Sequence, residues 1–529
     1  YNAPNGDTIV SGAAFDAGSF TDTISWNLPE YVGHDNDGNG YKLQVSSPDG
    51  AVAETPVFNV YGELEFTTAG ATWEITDPVT ITWDVIHGSI ANVNIIGSRD
   101  GTWGGAEEFV IASNQDADNV TAFNKDGYGT YVAQGSYGWT IAEKTPTIIS
   151  DAVKIKVADA DSDYSAYNVE NIGTGTFTIK GKITNVAVNG TDWKYGQTTG
   201  KTLSWTSNGD LGAVHIEFTD DGSTWIDVVD PAGAGVTSNN GPVTFNVTDW
   251  TYNNSGAVPD KMSDACQFRI TDKDDGTVTA TSSTFYIYPV LSNVVITPSS
   301  GDEGSDPVIW RAGLDNQEVK WTESSDALTS VDIYISTAGV AGLPGSVLAA
   351  GVDSNVSGEN SYSLITAPDG LTNNARIRVR SSNATFIDKV KADSGQFRIL
   401  GRVVYTLPNA GDDWYVGDTD KDIKWTPYGT EMTAVDILIN YDDGNGDQVV
   451  QSGYVVTPTQ LTTWTFDDPD AGVNGVGDHI SNNVTVMIRD TEATRQADTQ
   501  YRSGAFNIKG SLTLTYPTAG TEESVSYTH

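Results

Sequence analysis

A short closing strand with a fixed phenylalanine recurs five times along this chain. It reads VFNVYG at Phe58, TFTIKG at Phe177, TFYIYP at Phe285, QFRILG at Phe397 and AFNIKG at Phe506. Successive phenylalanines lie 119, 108, 112 and 109 residues apart. Each of the last four is preceded by a tryptophan pair: Trp73/Trp83, Trp193/Trp205, Trp310/Trp321 and Trp414/Trp425. The second member of each pair ends a short apolar run, ITW, LSW, VKW or IKW. A period of this length, built of short strands, sets one β-sandwich per repeat. Such arrays bind, space and assemble, and they seldom catalyse.

Within a repeat the apolar residues alternate with period two, and Gly, Asp and Asn punctuate the runs. That is the signature of strands and hairpins. The clearest copy is 182–289. It carries ITNVAV, LSW, VHIEF, the turn TDDGSTW, VTFNV, CQFRIT, an acidic turn and TFYIYP. Six or seven short strands fit an immunoglobulin-like sandwich, and no amphipathic helix longer than two turns is visible. The predicted fold is all-β, a tandem array of immunoglobulin-like β-sandwich domains. Complete copies are expected at 63–181, with a long Asp/Asn/Gly insertion at 99–136, and at 182–289, 290–401 and 402–510. The copy at 290–401 carries a longer Gly-rich loop at 338–351. Residues 1–62 match the later half of a copy, with Trp26 in ISWNLPE, and 511–529 match an opening strand. Both ends then fall inside repeats, so a longer natural polypeptide is expected. Linkers are nearly absent, which predicts a semi-rigid array.

There are 28 basic and 70 acidic residues, a formal charge of −42. That charge repels phosphate backbones and argues against nucleic acid as a partner. Apolar runs are four to six residues long, too short to span a membrane. The chain is 38% hydrophobic and 10% aromatic, which excludes a disordered polymer. Its one cysteine, Cys266, cannot form an intrachain disulfide. Cys266 sits where Ala375 stands in ARIRV and Asn483 in NVTVMI, so small-residue packing is its expected role.

The order aromatic-x9–11-Trp, V-x-I-x-x-S-x-DG-x-TW, W-x-φ-P, φ-R-φ-x-D and S-x-x-F-x-I resembles the Ser/Thr-rich immunoglobulin-like repeat of microbial cell-surface proteins. The resemblance covers nearly the whole chain. DDGSTW at 220–225 and RDGTW at 99–103 carry it well; at 290–401 the turn becomes STAGVAG. Such repeats occur in bacterial surface-layer proteins, adhesins and large exported enzymes. The resemblance implies an extracellular, cell-surface location and a structural role.

Candidate chemistry concentrates in acidic turns. DNDGNG places Asp35, Asp37 and Asn39 at alternate positions, with Gly40 for the turn, as in the first half of a calcium loop. The twelfth position is Ser46 rather than Glu, which removes EF-hand character. YDDGNGD offers Asp442, Asp443, Asn445 and Asp447, and ADADSD offers Asp159, Asp161 and Asp163. Ca2+ is the expected ion; solvated Asp-Gly turns are the alternative. The five histidines are scattered, and no nucleophile elbow, phosphate loop or HExxH is present. The repeated tryptophans read as core. Trp103 and Trp225, beside turns, are the candidates for stacking on a sugar ring. Seven Asn-x-Ser/Thr sequons occur, Asn119, Asn246 and Asn383 among them, near the number that composition alone would give.

The expected function is therefore non-enzymatic: a self-assembling part of a surface layer or similar extracellular lattice, its partners being lattice neighbours and cell-wall or surface glycans. An adhesin stalk or carbohydrate-binding array, and the noncatalytic part of a large exported enzyme, are the other readings.

Overall fold

The computed structural model describes residues 42–58, 61–87, 90–119, 133–144, 147–161, 169–228, 236–238, 240–246, 257–354, 357–468, 475–515 and 520. Among these there is no α-helix, and the regular structure is β-strand with one 3-10 turn at Gly339–Gly342. The chain is all-β, with repeated sheet pairs resembling tandem immunoglobulin-like domains. Contacts divide it into two compact bodies. One comprises 1–191, 198–257 and 265–285; the other comprises 192–197, 258–264 and 286–529.

The fourth repeat, in the second body, shows the plan. A three-stranded sheet runs Arg402–Leu407, Asp422–Tyr428, Thr462–Thr465. Facing it, a second sheet runs Asp413–Tyr415, Phe506–Lys509, Ser481–Asp490, Ala434–Asn440, Gln448–Val455. The first pair of that sheet is parallel and the others antiparallel. This is the Greek-key order of an immunoglobulin-like sandwich. The third repeat repeats it strand for strand, from Leu291–Ile296 to Phe397–Leu400. In the first body, the first repeat does the same between Glu63–Phe66 and Phe177–Lys180. There too Lys182–Val188, Thr202–Asn208 and Gly241–Asn246 form a three-stranded sheet. Beside it Ala213–Thr219 pairs with Ser263–Asp272.

The tryptophans fill the space between sheets. Trp83, Trp193, Trp205, Trp310, Trp321 and Trp425 are at most 1% exposed, and Trp414 is 4% exposed. Trp73 is only half-buried, stacked on Phe177 at 4.5 Å. The closing phenylalanines 177, 285, 397 and 506 are all buried. Indole N–H groups need acceptors once dry. Trp205 Nε1 donates to Ser238 Oγ at 3.0 Å, Trp321 Nε1 to Ser354 Oγ at 3.1 Å, and Trp83 Nε1 to the Ala117 carbonyl at 3.0 Å. Trp425 Nε1 has no partner among the described residues.

The Ser-x-x-Phe motif has a structural cause. Ahead of the closing strand, Ser282, Ser394 and Ser503 turn their hydroxyls inward. They accept the backbone N–H groups of Phe268, Ile377 and Val486 at 2.9–3.0 Å. A buried N–H freed from the ladder is thus paired by a side chain.

Two readings of the sequence are corrected. The insertion at 99–136 and the Gly-rich loop at 338–351 are not only loops. Glu108–Asp116 and Ser346–Asp353 are edge strands, as is Gln448–Val455. Their alternation is broken by paired register shifts, which hides them from a period-two search. The bulges are pinned alike: Asn94, Asp332 and Asp436 accept the N–H of the positive-φ residues Asn114, Gly351 and Gly453 at 2.9–3.1 Å. Such bulges blunt an exposed sheet edge. The counterpart of Cys266 in the fourth repeat is Val484, not Asn483. Val153, Ala375 and Val484 each pair with their closing phenylalanine, while Asn483 is exposed. Cys266 itself is buried.

Candidate functional site

The Asp-Gly turns use their carboxylates to hold themselves. Asp221 accepts the N–H groups of Ser223 and Thr224 at 2.7 and 2.6 Å and the Thr219 hydroxyl at 2.9 Å. These bonds hold its pKa far below the usual carboxylate range, the Thr224 N–H contributing most. Asp100 accepts the N–H and hydroxyl of Thr102 at 2.8 and 2.6 Å, and its pKa is lowered too. The DG-x-TW motif is thus a self-capped turn.

Each of these turns delivers its tryptophan beneath a cation. Lys156 Nζ lies 4.4 Å from the Trp103 ring and pairs with Glu170 at 2.9 Å. The Arg269 guanidinium lies 4.4 Å from the Trp225 ring and forms two 2.6 Å bonds to Glu217. Lys156 and Arg269 occupy matching places on their strands. Both indoles are half-buried, with one ring face taken by the cation.

Of the acidic turns, Asp35, Asp37, Asn39 and Asp163 lie outside the described residues. Asp161 donates its N–H to Asp159 at 3.0 Å. At 441–447 the carboxylates have protein partners. Asp442 accepts from Asn483 at 3.0 Å, and Asp443 accepts twice from Asn445 at 3.0 Å. Asp447 pairs with Arg502 at 2.6 Å and accepts from Asn440 at 3.1 Å. Arg502 lowers the pKa of Asp447, and the Asn445 N–H lowers that of Asp443. Among the described residues, no three His, Cys, Asp or Glu side chains are grouped to hold a metal ion. Among the histidines, His215 Nδ1 lies 3.8 Å from Asp227 on a strand face, and His479 stacks on Tyr441 at 4.1 Å. Among the described residues, no helix is long and apolar enough to cross a membrane.

The densest polar constructions lie at the repeat junctions. One glycine, Gly181, separates Phe177–Lys180 from Lys182–Val188. Lys180 reaches forward to Asp275 at 2.8 Å and Thr277 at 2.6 Å. Lys182 reaches back to Glu74 and Asp77, each at 2.9 Å. Leu211 closes over the glycine, where a Cβ would stand 2.0 Å from Leu211 Cδ2. In the second body Gly401 stands in the same way between Phe397–Leu400 and Arg402–Leu407. Arg398 reaches forward to Asp498 at 2.6 Å. Arg402 reaches back to the Gly313 carbonyl at 2.8 Å while lying 4.1 Å from the Tyr428 ring. Met432 covers the glycine as Leu211 does. Leu371 N–H donates to Glu431 at 2.7 Å, and Tyr501 OH donates to the Gly401 carbonyl at 2.8 Å. Also in that body, Lys389 pairs with Asp192 and lies 4.0 Å from the Tyr286 ring. The short linkers are legible in the sequence but these polar partners are not, since they lie 60 to 197 residues apart.

No family model matches the chain, and no curated protein does. Solved structures give distant likenesses. The N-terminal four Ig domains of Dscam1 isoform 4.4 are 10% identical over 85% of this chain and 100% of that one, at a TM-score of 0.17. A Salmonella alpha-2-macroglobulin is 10% identical over 86% of this chain, which spans 28% of the macroglobulin chain, at a TM-score of 0.13. Domains 4–9 of the surface layer protein SbsC are 11% identical over 88% of this chain and 68% of that one, at a TM-score of 0.15. The fold is read from the strand pairing, not from these likenesses.

Proposed function

We propose that this chain is a structural, non-enzymatic part of an extracellular cell-surface protein, and that its modules space and assemble into a surface layer or similar lattice. The observation that supports this most is the junction. Two junctions confine the linker to one glycine, cover it with an apolar side chain, and tie both flanking strands across the boundary with ion pairs or charged hydrogen bonds. A repeat held at a fixed angle to its neighbour suits an element whose task is spacing. The lattice partner in this reading is a second copy of the chain. Calcium belongs to the proposal through Asp35, Asp37 and Asn39, as a stabilising ion.

The experiment is electron microscopy of the purified chain with and without calcium. Ordered sheets support the lattice. Dispersed single molecules that bind cell-wall glycans or host proteins support the adhesin-stalk reading instead. The carbohydrate reading draws little from Trp103 and Trp225, since a cation already covers one face of each. Dispersed molecules with neither binding nor assembly return the array to a noncatalytic part of a larger exported enzyme.

A further inference from the structure

Glu323 ends the strand Gln317–Glu323, two residues after Trp321, and is 1% exposed. Its Oε2 accepts the Ser354 hydroxyl, whose oxygen in turn accepts the Trp321 indole N–H at 3.1 Å. Among the described residues its Oε1 has no hydrogen-bond partner of good geometry, and the Leu328 N–H, which favours the anion, offsets burial only in part. The second repeat builds this corner differently. There Ser207 takes the place of Glu323, and its hydroxyl meets that of Ser238, the acceptor of Trp205. The third repeat has therefore put a carboxyl where its neighbour has a hydroxyl.

Among the described residues no cation forms an ion pair with that carboxyl. The charged groups acting on it are Asp326, in the following loop, and Asp260, in the segment 258–264; both are anionic. Lys320, on the same strand, pairs instead with Glu318 and Glu359. A buried carboxylate with one unpaired oxygen and two anionic neighbours is disfavoured against its neutral form. Burial, first, and the two aspartates raise the Glu323 pKa to about 7.

The loop after Glu323 carries a bond across the repeat boundary. Ser325 Oγ donates to Asp260 and accepts the Ala327 N–H at 3.0 Å. Asp326 accepts the Ser357 N–H at 2.5 Å. The corner that buries Glu323 therefore also sets where Ser325 meets Asp260.

We propose that Glu323 is a proton-operated latch on loop 324–328. Neutral, it stays buried and Ser325 holds Asp260. Ionised, it draws water to the strand end and the loop opens. The sign follows from the direction of the shift. In the open loop Glu323 has an ordinary glutamate pKa, so the closed form binds the extra proton. Opening increases by about tenfold per pH unit from the ordinary glutamate range up to about 7, then levels off.

The test is hydrogen–deuterium exchange of the full chain between pH 5 and pH 7.5, corrected for the intrinsic pH dependence of exchange. In the wild type, peptides spanning 324–328 lose protection by about a hundredfold over two pH units. Glu323→Gln removes that dependence. Glu323→Ser, which recreates the Ser207 arrangement, removes it as well and carries the comparison if the Gln variant does not fold. Ser325→Ala lowers protection of the loop at both pH values. Flat protection in the wild type overturns the proposal. So does a pH dependence that survives in the folded Gln or Ser variant, or a Ser325→Ala variant protected like the wild type.

Discussion

Val456 occupies, beside the Trp425 indole, the place from which Ser354 accepts a hydrogen bond from Trp321. The equivalence is set by the backbone: Ser238, Ser354 and Val456 donate their N–H groups to Gly212, Thr329 and Thr433, each just before the next strand. With a valine there, the buried Trp425 Nε1–H lacks an acceptor among the described residues. Val456→Thr adds a hydroxyl at nearly constant volume. It is expected to stabilise the fourth repeat by about 1 kcal/mol, and Ser354→Val to destabilise the third by about 1–3 kcal/mol. Calorimetry on the full chain checks both; a Val456→Thr variant that melts earlier refutes the pairing.

Removing a core indole tests the array itself. Trp205→Ala and Trp425→Ala each leave a large cavity in a dry sandwich, at a cost of roughly 3–5 kcal/mol to the repeat concerned. Modules two steps away should keep their melting transition, because coupling runs mainly between neighbours. One transition that shifts as a whole for the entire chain would contradict this.

The sequence showed the fold most clearly where a residue serves the core. Phe177, Phe285, Phe397 and Phe506 and the second tryptophans recur because a sandwich interior leaves little freedom in size or register. Ser394 and Ser503 recur because a freed backbone N–H must be paired. The edge strands were hidden because their bulges break the alternation, although Asn94, Asp332 and Asp436, at one place in VNI, VDI and VDI, are a legible trace of them. The fate of the acidic turns was not legible at all. Asp447 resembles a calcium ligand until Arg502, 55 residues on, takes it. Lys156 over Trp103 and Arg269 over Trp225 are likewise products of the folded sheet, since each cation comes from a different strand than its turn.

The junction glycines are expected to resist substitution. Gly181→Ala drives a Cβ into Leu211, an overlap that costs about 1–3 kcal/mol unless the strands separate. Adding Leu211→Ala should make the double variant less unstable than the sum of the singles. Strict additivity in urea denaturation would show that Leu211 does not close the junction.

Acid should loosen the junction at 180–182 before it melts the cores. Lys180, then Thr277, hold the Asp275 pKa down to about 2. A carboxylate with a depressed folded pKa adds stability that is complete above its unfolded value. That stability is lost as pH falls through the folded one. The loss therefore falls between about pH 4 and pH 2. Asp275→Asn should lower the melting temperature at pH 6 and flatten its decline across that window. An unchanged acid profile in Asp275→Asn would remove Lys180–Asp275 from the account.

Calcium can be assigned by turn. Close carboxylates repel one another, and a divalent ion relieves that repulsion while fixing the loop, so binding to the folded state raises the melting temperature. At 441–447 the carboxylates already have Asn483, Asn445, Asn440 and Arg502 as partners. Asp447→Asn breaks the Arg502 pair and should lower stability by the same amount in calcium and in chelator. The DNDGNG turn is the other arm of the test. Asp35→Asn with Asp37→Asn should abolish whatever calcium-dependent rise the wild type shows. Calorimetry that finds one melting temperature for the wild type in calcium and in chelator removes calcium from the proposal. A calcium response lost in Asp447→Asn instead would move the ion to the 441–447 turn.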